Sequence, residues 1–230
     1  MEILCIIPAR SGSIRVKNKN LRIFGGKPLV SHTIISALQS KLITDICLST
    51  DSVKLKNIGK RHGLTVPFLR SKRLSSSTAL TIDVVKDAIT RFEKYYKKSY
   101  EYILLLQPTC PFRKKNIIDE SIKTLIKKKS FDSLLTVCDV GSHHPYRMKF
   151  MNKDNLVRNV IDQGFEDMRP IQKLQKAYIR SGSIYLCKKE VIYRYNSLVG
   201  KSTYGKEVKG KYTINIDTNE DFNLAKKYLR

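Results

Sequence analysis

Ile3-Leu4-Cys5-Ile6-Ile7-Pro8-Ala9-Arg10-Ser11-Gly12-Ser13-Ile14-Arg15-Val16-Lys17-Asn18-Lys19-Asn20-Leu21 opens as five consecutive apolar residues and turns, at Pro8, into a basic loop. A run that is apolar at every position, not at alternate ones, suits a strand whose sheet is covered on both faces. Proline at its end has no N–H for the ladder, so pairing stops there. Beyond it Arg10, Arg15, Lys17 and Lys19 surround Ser11, Gly12 and Ser13. Small residues let backbone N–H groups approach an anion, and the cations neutralise it. The loop matches neither GxxxxGK[ST] nor GxGxxG. By its residues alone it reads equally as a polyanion-binding loop and as a solvated basic one.

Outward from this stretch, apolar runs alternate with helical periodicity. Val30, Ile34, Ala37 and Leu38 mark one helix face, 46–49 a strand, and 53–62 a helix stopped by Gly63. A short strand is expected at 66–69. Ile82, Val85, Ile89 and Phe92 then recur at helical spacing from Thr81. Residues 102–106 read as a buried strand, Ile118, Ile122 and Leu125 as a helix, and 133–140 as a strand. Strands alternating with helices imply crossover connections, hence an α/β fold with a mainly parallel sheet flanked by helices. Late strands are expected at 183–187 and 212–216 and a final helix at 219–229. The polar, weakly periodic segment 141–176 is too long for an ordinary connection and reads as a hairpin or lobe inserted in a single domain spanning 1–230. Ligands of such sheets bind beyond the carboxyl ends of the strands, so the polar segments 8–20, 107–113 and 217–221 should converge on one crevice.

The 230 residues include 44 Lys and Arg against 20 Asp and Glu, a net charge of +24, yet 41% are hydrophobic, which excludes a disordered chain. The excess comes mostly from 30 lysines scattered along the chain in short runs such as Lys127-Lys128-Lys129, with no aromatic residues interleaved in a nucleic-acid-binding motif. That pattern describes a solvated surface better than a specific nucleic-acid interface. No apolar run approaches the ~20 residues of a membrane helix. No basic segment leads into a cleavable apolar one at the start, so a soluble, cytoplasmic protein is expected. Cys5, Cys47, Cys110, Cys138 and Cys187 are scattered without a CxxC pair, which argues against disulfides and zinc. His143-His144 lacks a third ligand nearby and reads as a loop pair.

Further motifs occur in order along nearly the whole chain: Gly26-Lys27-Pro28-Leu29, Ser49-Thr50-Asp51, Val66-Pro67-Phe68-Leu69-Arg70, Leu106-Gln107-Pro108-Thr109-Cys110-Pro111-Phe112-Arg113, Ser181-Gly182-Ser183-Ile184-Tyr185 and Ile214-Asn215-Ile216-Asp217-Thr218. With Pro8–Ser13 and Lys19-Asn20-Leu21, they resemble the CMP-sialate synthetase, or acylneuraminate cytidylyltransferase, family, whose members join CTP to a nine-carbon sugar acid and release pyrophosphate. The resemblance implies a Rossmann-like nucleotidyltransferase fold. It implies that Arg10, Ser11, Gly12, Ser13, Lys19 and Asn20 hold the nucleotide, with Arg10 and Lys19 as the catalytic cations. Arg70 and Thr81 match nucleotide contacts, and Gln107, Arg113, Tyr178 and Ser181 fall on the sugar side. Asp217 matches the second acid of an Asp-x-Asp pair that binds magnesium, with Asn215 in the first place. Ile14 stands where the loop often carries a lysine. The segment 141–176 resembles the family's dimerisation segment and implies a homodimer.

Competing readings remain for single residues. Asp51 would cap the helix starting near Val53, Asp217 would cap the helix starting near Asn219, and Arg113 would decorate its loop. The other functional readings are CMP activation of a pseudaminic, legionaminic or Kdo-type acid, and a basic nucleic-acid-binding protein.

Overall fold

In the computed structural model, which describes residues 1–13 and 15–229, the opening apolar run forms β1 (Ile3–Pro8). Ile14, the departure noted in the basic loop, lies outside the described residues. A small hairpin, β2 (Ile23–Phe24) with β3 (Lys27–Pro28), leads into α1 (Leu29–Leu38). Then follow β4 (Asp45–Ser49), α2 (Val53–Arg61), α3 (Thr81–Tyr96), β5 (Tyr102–Leu105), α4 (Ile117–Lys127) and β6 (Ser133–Asp139). A second hairpin, β7 (Lys149–Met151) with β8 (Val157–Asn159), sits inside 141–176. The chain continues through β9 (Tyr178–Lys188), α5 (Lys189–Tyr195), β10 (Thr203–Glu207) and α6 (Asn219–Lys226).

The main sheet has the order β10-β6-β9-β5-β1-β4. β1 pairs parallel with β4 and β5, and β10 parallel with β6, while β9 runs antiparallel to both neighbours. β1 shows why a continuous apolar run is required. Successive side chains point to opposite faces. Ile3, Cys5 and Ile7 pack with Val30 and Ile34 of α1, Leu55 of α2 and Ile122 of α4, whereas Leu4 and Ile6 pack with Val85, Ile89 and Phe92 of α3 and Ile192 of α5. Burying each of these aliphatic side chains contributes about 1.5–3 kcal/mol relative to exposure. The stop of α2 matches the expectation at Gly63. Its amide donates to Lys60 O and the amide of Leu64 to Gly59 O, a Schellman closure made possible by φ +83° at the glycine.

Two expected strands do not form. Residues 66–69 form no ladder, because Pro67 has no N–H to contribute. Residues 212–216 begin in a short 3-10 turn (Gly210–Thr213), and from there on Ile216 N–H donates to Thr109 O. Conversely β10, Thr-Tyr-Gly-Lys-Glu, is an edge strand with too few apolar residues to announce itself. A third apolar cluster joins Phe24 and Leu29 to Ile216, Phe222 and Ala225, which docks α6 against the β2–β3 hairpin. Among the described residues no helix is long and apolar enough to cross a membrane.

Candidate active site

The basic loop leaves the end of β1 and is held there by its neighbours. Asp51, just past β4, accepts from the Ser11 amide and from the Ser11 hydroxyl, both at 2.8 Å. The cap of α2 is Ser52, whose Oγ accepts from Leu55 N. Asp51 therefore anchors the loop and does not cap a helix. Asn20 Nδ2 donates to Arg10 O at 2.9 Å, a second tie across the loop. Asn18 adopts φ +55°, a left-handed conformation that asparagine tolerates well, and this turn sends Lys19 across to the other end of the chain. Lys19 Nζ donates to Ile216 O at 2.8 Å and to Asp217 Oδ1 at 2.9 Å. The geometry gives Ser11 and Asn20 the work of shaping the loop, while among the described residues nothing would lie within 4 Å of a Cβ placed on Gly12.

Two cavities open beyond the strand ends. One, of 330 Å³, lies over Pro8, Arg10, Arg70 and Ser77; the other, of 630 Å³, lies over Leu105, Arg180, Gly182 and Tyr185. They share one wall made of Thr81, Gln107, Asn215 and Asp217. The three polar segments expected to converge do so, each contributing to the first cavity. Arg70 is 5% exposed, with its amide on Thr50 O and its Nε on Ser75 Oγ. Burial, reinforced by the nearby Arg10 and opposed by Asp51, lowers its pKa from the ordinary arginine value. An arginine nonetheless stays charged at neutral pH. Arg10 and Arg70 thus make the smaller cavity cationic.

The shared wall depends on how α6 is capped. Thr218 Oγ1 accepts from Asp221 N, and Asp221 Oδ2 accepts from the amides of Thr218 and Asp217, a capping box. Asp217 is therefore free of capping. Its Oδ1 meets Lys19 and its Oδ2 accepts from Asn215 Nδ2 at 2.6 Å. The two side chains meet on an irregular segment, not on the strand expected there.

On the sugar side three expectations change. Arg113 has five guanidinium N–H donors. The structure uses all five: Nε and Nη2 on Ser183 O, Nη2 on Gln107 O, and Nη1 on Thr33 Oγ1 and Cys110 O. No donor is left for a substrate carboxylate. Burial lowers the Arg113 pKa to about 10, with the Cys110 and Cys5 thiols opposing it. The residue is a brace between α1, the 107–113 loop and β9. Ser181 lies in the wall of the larger cavity, but its hydroxyl turns inward to Thr136 Oγ1 at 2.8 Å. Tyr178, 43% exposed at the start of β9, lines neither cavity.

β9 bulges at Ser181-Gly182-Ser183, where the pairing shifts from Leu135↔Tyr185 to Val137↔Arg180. Thr136 Oγ1 satisfies the bulge by accepting from Ile184 N at 3.0 Å. Gly182 sits at φ +80°, and a Cβ there would lie 2.8 Å from Gln107 Oε1. Only glycine lets Gln107 approach so closely. Arg180 enters the larger cavity from this bulge and was not singled out in the sequence; its place between apolar Ile179 and the motif is the signal that could have found it. His144 caps a short turn, accepting from Tyr146 N, and its other ring nitrogen meets Gln175 O. No group of three His, Cys, Asp or Glu residues able to hold a metal occurs among the described residues.

Comparison with known proteins agrees with this geometry. CMP-N,N'-diacetyllegionaminic acid synthase of Legionella pneumophila is 34% identical over 233 residues, covering 100% of this chain and 97% of that protein. N-acylneuraminate cytidylyltransferase of Streptococcus agalactiae is 32% identical over 96% of this chain and 52% of its own length. A solved CMP:2-keto-3-deoxy-manno-octonic acid synthetase in complex with CTP shares the fold, with a TM-score of 0.69, 16% identity and coverage of 99% of this chain and 98% of that one. The model of the cytidylyltransferase family matches residues 4–229, and the chain belongs to that family.

Proposed function

We propose that this cytidylyltransferase joins CTP to a nonulosonic acid, a nine-carbon 2-keto sugar acid of the sialic, legionaminic and pseudaminic type, giving the CMP-sugar and pyrophosphate. The carrying observation is the pair of cavities with one common wall at Thr81, Gln107, Asn215 and Asp217. The cationic cavity takes the nucleotide and the larger one the sugar acid, so the sugar hydroxyl oxygen meets the α-phosphorus at that wall. The O–P bond forms as the bond to pyrophosphate breaks in line, and the hydroxyl proton passes through water to solvent as pyrophosphate departs. Such chemistry asks for positioning and charge stabilisation. Arg10 and Arg70 neutralise the triphosphate, Lys19 exchanges Asp217 for phosphate oxygens, and Arg180 offers the larger cavity a cation for the sugar carboxylate. The full-length likeness to a legionaminic acid synthase favours an N-acylated acid of that kind over Kdo.

The donor set suits magnesium, a hard cation often held by one carboxylate together with substrate phosphates and water. Asp217 would hold it. When bound, the ion supplies charge neutralisation at the phosphates.

The hairpin segment leaves Phe150, Met151, Leu156, Phe165 and Met168 exposed. Five large exposed apolar side chains within one segment call for a cover, and a second copy of the chain is the cover we assign. Phe150→Asp together with Met151→Asp should then convert a dimer to a monomer in light scattering. A wild type that is monomeric at micromolar concentration refutes the dimer.

Pyrophosphate release from CTP with N-acetylneuraminic, diacetyllegionaminic, pseudaminic and Kdo acids tests the reaction. Turnover with at least one nine-carbon acid is expected. Release with none, or with Kdo alone, overturns the reading.

A further inference from the structure

The contacts around Asp217 go beyond a cation ligand. A carboxylate only accepts hydrogen bonds, so the Asn215 atom 2.6 Å from Asp217 Oδ2 is the amide nitrogen and donates. That choice turns Asn215 Oδ1 the other way, toward the Cys110 thiol at 3.6 Å. Cys110 is 1% exposed in the wall, and its one S–H proton is shared between Asn215 Oδ1 and Ser181 O, the latter 3.4 Å from Sγ where the β9 bulge begins. The thiol is a weak S–H donor, and the Asn215 carbonyl accepts from it. Asn215 itself is exposed and belongs to both cavities, so Cys110 is the buried fixture against which its amide can be aligned.

We propose that Cys110 and Asn215 form a neutral positioning relay for Asp217. The thiol aligns the Asn215 carbonyl, and the Asn215 amide holds Asp217 Oδ2. Oδ1, the oxygen now on Lys19, is left as the one carboxylate oxygen free to exchange a lysine for a divalent cation. Both residues act through Asp217 and are positioning residues. The site then carries one acid where the family pattern has two, and the cation arrives with the nucleotide instead of ahead of it. This inference rests on the metal-assisted cytidylyl transfer proposed above.

The test reads metal binding apart from turnover. Free Mn²⁺ is followed by electron paramagnetic resonance in the full-length protein, alone and with CTP but no sugar acid. Wild type without CTP should bind Mn²⁺ with a Kd above roughly 1 mM, the weak end of the range for carboxylate cation sites, and Asn215→Asp should tighten this at least about tenfold. In the CTP complex, Cys110→Ala and Asn215→Ala should each weaken Mn²⁺ binding by about tenfold, as loss of a group behind a ligand does. The double variant should be no weaker than Asn215→Ala, because the thiol acts only through the amide. Cys110→Ser, which keeps a donor, should restore wild-type affinity. Tight Mn²⁺ binding by nucleotide-free wild type, additive effects in the double variant, or Cys110→Ser behaving as Cys110→Ala would each overturn the relay. A wild type that binds Mn²⁺ and CTP as described, yet releases no pyrophosphate with any sugar acid, refutes the proposed reaction and leaves the relay standing.

Discussion

Arg113→Met separates a brace from a substrate contact. Methionine keeps most of the apolar stem but removes all five N–H donors of the guanidinium. Gln107 O retains a partner in the Cys110 amide, at 3.2 Å, whereas Ser183 O and Cys110 O lose the bonds that Arg113 gives them. Each buried carbonyl left without a donor costs about 1–3 kcal/mol, so the pair costs roughly 2–6 kcal/mol. For a domain of this size each kcal/mol lowers Tm by about 2–4 °C, which places the expected fall on the order of 10 °C. Thermal unfolding followed by circular dichroism measures it. Pyrophosphate release, assayed well below the variant's own Tm, then gives KM for the sugar acid, which should stay within about twofold of wild type, since no guanidinium donor is available to substrate. An unchanged Tm with KM for the sugar acid raised severalfold would refute the brace and return Arg113 to the substrate.

Lys19→Ala should lower kcat/KM by about a hundredfold or more, the loss expected when a preorganised charge contact to the transition state is removed; near-normal turnover at low CTP would remove Lys19 from the triphosphate. Asp51→Ala releases the Ser11 amide and hydroxyl together, and bonds to a charged acceptor contribute about 1.5–3 kcal/mol, so KM for CTP should rise about tenfold or more. An unchanged KM in steady-state assays would show that the loop does not need its anchor. Replacing Lys127, Lys128 and Lys129 together with Gln should leave turnover within about twofold, because exposed charges farther than the Debye length of ~8 Å are screened. A large loss of rate in a variant with normal circular dichroism would tie that run to function.

Where the sequence was legible, a single physical requirement dominated. β1 and β5 are covered on both faces, so every residue must be apolar, and the run declares itself. The helices carry one buried stripe each, as Val85, Ile89 and Phe92 do in α3. The stretch 212–216 misled because Tyr-Thr-Ile-Asn-Ile has strand composition, while its fate was decided by Thr109, Phe24 and Leu29, contacts more than a hundred residues away in sequence. Arg10 and Gln107 could be placed at the cavities because they lie just beyond β1 and β5, and Thr81 starts α3, whereas Arg70, past a strand that does not form, was placed by the family resemblance. Arg113 and Ser181 could not be judged that way. Whether a polar side chain turns to solvent or inward depends on which acceptors the fold leaves unpaired, and here those come from the 107–110 loop, Thr33 of α1, Thr136 of β6 and the bulge in β9.

Lys19 and Asp217 stand 198 positions apart, and their contact closes nearly the whole chain into a loop. Closing a loop of that length costs on the order of 5 kcal/mol of chain entropy, more than an ion pair with a 35% exposed carboxylate can supply. The docking of α6 by Phe24, Leu29, Ile216 and Phe222 must meet that cost first. The competent site is therefore a late product of folding. On refolding, catalytic activity should emerge after the sheet has formed, and fraying of the last helix alone is enough to silence the enzyme while the rest of the fold persists.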